Sequence, residues 1–274
     1  MANLLTNKRS ERFLLNVFPP VLLIVLSLLA WEVTTVVSGL HPLVLPSPGR
    51  VMEAGWATRA LLGEAIATTM GETFAGLGIA LALSIALAAA LDLSPFLRRA
   101  LYPLMVASQT VQILAIAPLL IIWFGFGLLP KVMIVVLVCF FPLAVSTADG
   151  LKSTDPNLIE MLRSLGASRG QIWRIVRFPA ALPSFFSGLR VAVTYSVVGA
   201  TIAEWVGGTA GLGLYMLRSK NALATDQVFV AILITTILSI GLFALVALIE
   251  RLTLPWYFTP QRAQQWDKAG GSED

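Results

Sequence analysis

Six long apolar runs, parted by short stretches where charge and proline gather, dominate the pattern along this chain. A helix that crosses a bilayer needs roughly 20 mostly apolar residues, because 1.5 Å per residue must cover about 30 Å of hydrocarbon. Runs near that length lie at about 18–37, 72–91, 101–124, 132–148, 185–206 and 228–249. The first is led by Pro19 and Pro20 and carries Glu32 near its far end. It is too long for an ordinary signal peptide and lacks the small-residue cleavage site, so it reads as a retained span. The third contains Pro103 and Pro118, and a helix break is expected at Pro118. Between the first two runs lies "LVLPSPGRVMEAGWATRALLGEA", whose proline-rich start and amphipathic remainder predict an interfacial helix rather than a crossing. The pattern therefore predicts an all-α, polytopic membrane protein of six transmembrane helices with both ends on one side. Its expected parts are a tail at 1–17, a first span with its interfacial helix at 18–71, a core at 72–250 and a second tail at 251–274.

Composition agrees with the pattern. Charged residues make up 12% against the roughly 25% of a soluble domain, and mean hydropathy is +0.83. The net charge of +4 is informative only by position. With the N-terminus inside, the inner segments carry Lys8, Arg9, Arg12, Arg98, Arg99, Lys152, Arg163, Arg169, Arg174, Arg177, Arg190, Arg251, Arg262 and Lys268. The outer ones carry Arg50, Arg59, Lys131, Arg218 and Lys220. Fourteen against five is the bias that places both termini in the cytoplasm. These basic residues need no nucleic-acid partner, and Arg9, Arg98 and Arg99 suit anionic membrane lipid. The single cysteine, Cys139, lies inside an apolar run, which leaves no disulfide framework and no metal cluster to expect. The only histidine, His41, sits in an outer loop beside Pro42 and reads as a surface residue. No G-x-x-x-x-G-K-[ST] or H-E-x-x-H pattern occurs, so neither ATP hydrolysis nor a catalytic site is expected on this chain.

One charged stretch stands between the fourth and fifth runs: "LIEMLRSLGASRGQIWRIVRFPAALP", residues 158–183. Asp155 followed by Pro156 is a helix start, an acidic N-cap before a proline whose missing amide costs nothing. Leu158, Met161, Leu162 and Leu165 recur at helical spacing and form one apolar stripe. Gly166 then stands where a left-handed cap is needed. Ser168 with Gln171 three positions on predicts a capping box for a second helix, which Pro179 is expected to close. The result is a helical hairpin over 152–180, each helix too short to cross. Asp149, at the inner end of the fourth span, frames it.

This loop resembles the signature of membrane subunits of ATP-binding-cassette importers: Glu-Ala-Ala, three residues, Gly, nine residues, Ile, one residue, Leu-Pro. Here Glu160-Met161-Leu162, Gly166, Val176 and Phe178-Pro179 stand at those offsets. Met161 and Leu162 replace the two alanines, which implies a bulkier fit in the partner's groove. "LPSP", "APLLIIWFGFG", "FFPLAVSTADGLKSTDP" and "AEWVGGTAGLGLYM" likewise resemble the sulfonate, taurine and nitrate branch of these permeases, over about 45–256. The resemblance implies the MetI-like fold of type I importers, in a bacterial inner membrane. It implies a coupling role for Leu158, Glu160, Met161, Leu162, Arg163, Leu165 and Gly166, whose helix docks in a groove of a cytoplasmic ATPase that carries the ATP and magnesium. It further implies a second copy of this chain and an extracytoplasmic substrate-binding protein. "GLRVAVTYSVVGATIAEWVGG" and "GLGLYMLRSKNALATDQVF" look closer to permeases for thiamine-pyrimidine precursors of the hydroxymethylpyrimidine type than to those for taurine, alkanesulfonates or nitrate.

For the substrate path, the second run carries Gly78, Ala82, Ala86 and Ala90 at every fourth position, and the fifth carries Gly188, Ala192, Ser196 and Ala200. Such ridges let helices approach closely in lipid. The fifth ridge continues to Glu204, and intramembrane polar groups usually face the bundle interior or a water-filled path. Ser108, Gln109, Thr110 and Gln112 in the third run would be costly facing lipid. Ser108, Gln109, Gln112, Ser196 and Glu204 are accordingly the expected path residues. An ATPase-independent carrier or channel is the alternative, and inverted repeats or unpaired intramembrane charges would favour it.

Overall fold

The computed structural model describes the backbone of residues 2–39 and 41–257, and the side chains among these from Phe18 onward. The side chains of Lys8, Arg9 and Arg12, with Arg262, Lys268 and the rest of 258–274, lie outside the described residues. Helices account for the elements found: α1 (Ala2–Val37), α2 (Pro48–Ala57), α3 (Arg59–Leu93), α4 (Pro95–Ser108), α5 (Ile113–Phe124), α6 (Leu128–Lys152), α7 (Pro156–Ser164), α8 (Arg169–Ile172), a π-helical turn (Trp173–Arg177), α9 (Phe178–Gly207), α10 (Leu212–Asn221) and α11 (Thr225–Thr253). Among the described residues five helices are long and apolar enough to cross a bilayer, and a sixth is reached when the bent pair α4 and α5 is counted as one span.

Two compact units divide the chain. The smaller comprises residues 1–62 and 216–232. Here the Trp31 indole N–H donates to the Pro46 carbonyl at 3.0 Å, and its ring lies 5.5 Å from that of Phe229. The Thr225 hydroxyl donates to the Leu43 carbonyl at 2.8 Å. The proline-rich stretch before α2 is thus tied down, with Pro46 fully buried. No residue of α1 from Phe18 to Val37 is buried. Such a mostly apolar exposed surface suits lipid.

The larger unit comprises 63–215 and 233–274, and α6 and α9 form its axis. Small residues set their closeness: a Cβ on Gly188 would stand 2.6 Å from the Ser146 Cβ, and one on Gly150 would stand 2.7 Å from the Ser184 Cβ. Cys139 lies in this seam, its thiol 3.3 Å from the Ala192 carbonyl. The expected ridge of the fifth span is therefore a packing surface, with Gly188, Ala192, Ser196 and Ala200 all buried.

Four expectations change. First, α3 is 35 residues long, about 52 Å at 1.5 Å per residue, so only Pro48–Ala57 forms a separate short helix and 59–71 belongs to the second span. Second, its buried ridge is Gly76, Ala80, Ser84 and Ala88, whereas Gly78, Ala82 and Ala86 are exposed. The partner decides: a Cβ at Gly76 would meet Val135 of α6 at 2.5 Å, and the Ser84 hydroxyl donates to the Phe140 carbonyl at 3.0 Å. Third, the third span breaks at 109–112, not at Pro118, and α4 and α5 bend by 101° there. Fourth, Pro179 closes nothing. The Phe178 amide reaches back five residues to the Trp173 carbonyl, and this wide turn lets the proline enter a rod that continues from Arg169 to Gly207. Two charge assignments move with the fold, since Lys131 lies in a buried ion pair with Glu72 and Arg190 in a half-buried one with Glu250, both on helices rather than in loops. Each side loses one, and the basic bias keeps its sign.

Candidate functional site

The hairpin is built by local hydrogen bonds. The Asp155 carboxylate accepts the Asn157 amide at 2.9 Å and Pro156 opens α7. At its end the Ala167 amide donates to the Leu162 carbonyl at 3.0 Å and the Gly166 amide to the Arg163 carbonyl at 2.9 Å. These two bonds are a Schellman cap, and Gly166 has the positive φ of +83° that such a cap requires. Ser168 and Gln171 form the reciprocal box: the Ser168 amide donates to Gln171 Oε1 at 2.8 Å and the Gln171 amide to Ser168 Oγ at 3.4 Å.

A helix fixed at both ends presents an unusual face. Ile159 is its buried anchor, while Leu158, Met161 and Leu165 are 41%, 59% and 72% exposed. Leu162 is half-buried, and Glu160, Arg163 and Gly166 are exposed. Beyond the hairpin, Arg177 Nη1 donates to both oxygens of Asp92 at 2.6 and 2.8 Å, which pins the π turn to the end of α3. On α6 and α4, Asp149 accepts the Tyr102 hydroxyl at 3.0 Å and lies 3.5 Å from Arg98.

A second polar feature is the corner of the bent pair. Hydroxyls start the break: Ser108 donates to the Met105 carbonyl and Thr110 to the Ala107 carbonyl, both at 2.7 Å. The amides of Gln109, Thr110 and Val111 then fall back on carbonyls three residues earlier, tightening and ending α4. Gln109, Thr110 and Gln112 are exposed and Ser108 is half-buried. Irregular backbone at membrane depth is tolerated only where it is buried in protein or lines water, so this corner requires one of the two.

The other two expected path residues lie elsewhere. Ser196 is wholly buried and donates to the Val193 carbonyl at 2.7 Å. Glu204 is wholly buried too, and its carboxylate is the centre of a cluster at the end of α9 farthest from the hairpin. The Thr69 hydroxyl donates to Glu204 Oε1 at 2.7 Å, the Gly213 amide to Glu204 Oε2 at 2.5 Å, and the Leu212 amide to Thr69 Oγ1 at 2.9 Å. A carboxylate thereby caps the N-terminus of α10. Gly211 and Gly213 are what let the backbone close on it, because a Cβ on either would collide with Glu204. Beside Thr69 on α3, Glu72 receives the Lys131 ammonium at 2.6 Å, with both side chains under one-tenth exposed. The sequence reading missed that pair. Its signal was a glutamate a dozen residues inside a helix far longer than a bilayer requires.

Over residues 78–254 the chain matches the family described as the inner membrane component of binding-protein-dependent transport systems. The chain belongs to this family. It is 38% identical over 241 residues to the formylaminopyrimidine transport permease protein ThiX of Halalkalibacterium halodurans, covering 86% of this chain and 95% of that protein. The riboflavin transport system permease protein RibX of Chloroflexus aurantiacus is 34% identical, over 86% of this chain and 89% of that one. The taurine transport system permease protein TauC of Escherichia coli is 35% identical, over 84% and 86%. Among solved structures, an amino acid ABC transporter superposes with a TM-score of 0.60 at 17% identity, covering 71% of this chain and 95% of that one. That likeness establishes the MetI-like permease fold. The chain is thus a multi-pass inner membrane transport component of an ABC importer.

Proposed function

We propose that this chain forms the substrate path of its importer and is driven through α7 by a separate cytoplasmic ATPase, which holds the ATP and magnesium. One observation carries the reading: α7 is capped at both ends, yet it leaves Leu158, Met161 and Leu165 exposed within the chain. An apolar stripe with a charged rim, here Glu160 and Arg163, is what a groove in a partner receives. Because Arg169–Gly207 is one rod, a push on the hairpin is delivered directly to α9. The hairpin and both termini are then cytoplasmic, a second copy of the chain completes the path, and an extracytoplasmic binding protein delivers the cargo.

The corner at 108–112 is the part of the path that contacts cargo in this reading, through Ser108, Gln109 and Gln112. Ser196 and Glu204, being buried and bonded, act on the path only by holding its walls. For cargo, the name of the formylaminopyrimidine relative supports a thiamine-pyrimidine precursor of the hydroxymethylpyrimidine type, with taurine, alkanesulfonates or nitrate next. Vesicles reconstituted with the chain, its ATPase and its binding protein test this. Uptake requires ATP, and Gln109→Ala with Gln112→Ala changes uptake without reducing recovery of the assembled complex. Normal uptake by that double variant removes the corner from the path. Uptake by the purified chain alone replaces the whole reading with an ATPase-independent carrier.

A further inference from the structure

Where the hairpin meets the helix ends, two cavities share walls. A crevice of about 420 Å³ is lined by Asp92, Leu93, Arg163, Arg169, Trp173 and Arg177. It adjoins a slot of about 270 Å³ lined by Ile85, Leu151, Phe178, Leu182 and Phe185, and Ala89 and Trp173 belong to both. The two differ sharply in chemistry. The crevice sets three guanidinium groups against one carboxylate, and Arg177 already holds that carboxylate through a single nitrogen. Arg163 and Arg169 are exposed and form no ion pair with any described residue. The slot is apolar, its one polar wall residue, Thr147, donating to the Leu143 carbonyl at 2.6 Å. A second crevice that shares Arg163 and Arg177 adds Lys152 and Arg98 against Glu160, with Arg98 also 3.5 Å from Asp149.

We propose that this crevice and slot together bind one anionic phospholipid, its phosphate among Arg163, Arg169 and Arg177 and an acyl chain in the slot beneath. A soluble anion has no use for the slot. A neutral lipid has none for the arginines. Basic pockets between spanning helices at the inner face are suited to anionic headgroups, and Trp173, tilted against Phe178 with ring centroids 5.4 Å apart, is the residue type found at the headgroup boundary. Around the opening, Leu93 is 80% exposed and Ile85 and Phe178 are both 46% exposed, surfaces that lipid rather than water satisfies. The occupant would sit against the π turn that joins hairpin to α9, at the point where the rod changes pitch.

Arg163 also stands on the rim given to the ATPase groove, so lipid is measured on the purified chain without its ATPase, where failure of one reading does not decide the other. The full-length chain in detergent is incubated with phosphatidylglycerol or phosphatidylcholine of equal chain length, and retained lipid is counted by native mass spectrometry. Phosphatidylglycerol should be retained on the order of tenfold more strongly, and Arg163→Gln with Arg169→Gln should erase that preference. Ala89→Phe, which fills the shared wall and leaves every charge in place, should lower retention of phosphatidylglycerol as well. Equal retention of the two lipids overturns the proposal, as does an unchanged preference in the double arginine variant. Displacement of phosphatidylglycerol by millimolar inorganic phosphate, or full retention in Ala89→Phe, shows a soluble-anion site instead and overturns it equally.

Discussion

At the far end of α9, the carboxylate of Glu204 is wholly buried and both of its oxygens accept hydrogen bonds. At the hairpin end, the capped helix α7 and its C-cap leave three large apolar side chains, Leu158, Met161 and Leu165, in the open. In a protein whose surroundings are lipid, the first region would be expected to avoid charge and the second to avoid exposure. The inversion separates two kinds of work. Polar groups that are buried and paired fix one arrangement of α3, α9 and α10 within the chain, because an unpaired polar group there costs far more than a bonded one gains. Apolar groups that are exposed on a rigid support are complementary to something outside the chain.

The sharpest way to break the comparison is at the buried region. Lys131→Met removes the cation from Glu72 and leaves an uncompensated buried carboxylate, a loss of about 3–5 kcal/mol. The apparent unfolding temperature of the purified chain should fall steeply. Adding Glu72→Leu should restore most of it, since replacing both members of a buried pair with apolar groups is often neutral. The residual cost of the pair in the native chain is visible in Glu72 Oε2, which has no hydrogen-bond partner among the described residues. Equal unfolding temperatures for the single and double variants would mean that the pair anchors nothing.

An intermediate effect is expected at Gly166. Its Cβ position is open, with nothing within 4 Å, so a substitution meets no neighbour and its cost comes from φ at +83° alone. For Gly166→Val the strain is on the order of 1–2 kcal/mol, confined to the cap between α7 and α8. The chain should still insert and assemble, while substrate-stimulated ATP hydrolysis by its complex falls. Unchanged stimulation separates the cap from coupling and leaves the apolar stripe as the only basis for that role.

How far these regions were legible in the sequence follows from how local their signals are. The hairpin's caps depend on residues three to five apart, so Asp155, Gly166, Ser168 and Gln171 could be assigned their roles from spacing, and the described bonds match. The rough positions of the spans were legible because hydrocarbon thickness sets a minimum apolar length, although α3 runs well past that minimum. The face that α3 buries was not, since Gly78, Ala82 and Ala86 and the true ridge of Gly76, Ala80, Ser84 and Ala88 have the same period on the same helix. Only contact with Val135 and Phe140 of α6 distinguishes them. A proline is the strongest local breaker in the third span, yet hydroxyls of Ser108 and Thr110 competing for backbone carbonyls end α4 six or more residues before Pro118. Glu204 stands out in the sequence as a polar group at the end of a ridge, but its bonds come from Thr69, 135 positions away, and Gly213, nine away. No periodicity reports a partner that distant.

The smallest expected effect on the chain itself completes the contrast. Leu158, Met161 and Leu165 changed together to Ser should move the unfolding temperature hardly at all, because surface substitutions of this kind fall within about ±0.5 kcal/mol. Their effect should appear only in the assembly. If those side chains enter a groove, each contributes roughly 1.5–3 kcal/mol when fully buried, so the triple variant should lose its ATPase on gel filtration while eluting as an intact membrane chain. The same variant destabilised as strongly as Lys131→Met would place the stripe against this chain's own helices, and the division between an internally bonded end and an outward-facing end would fail.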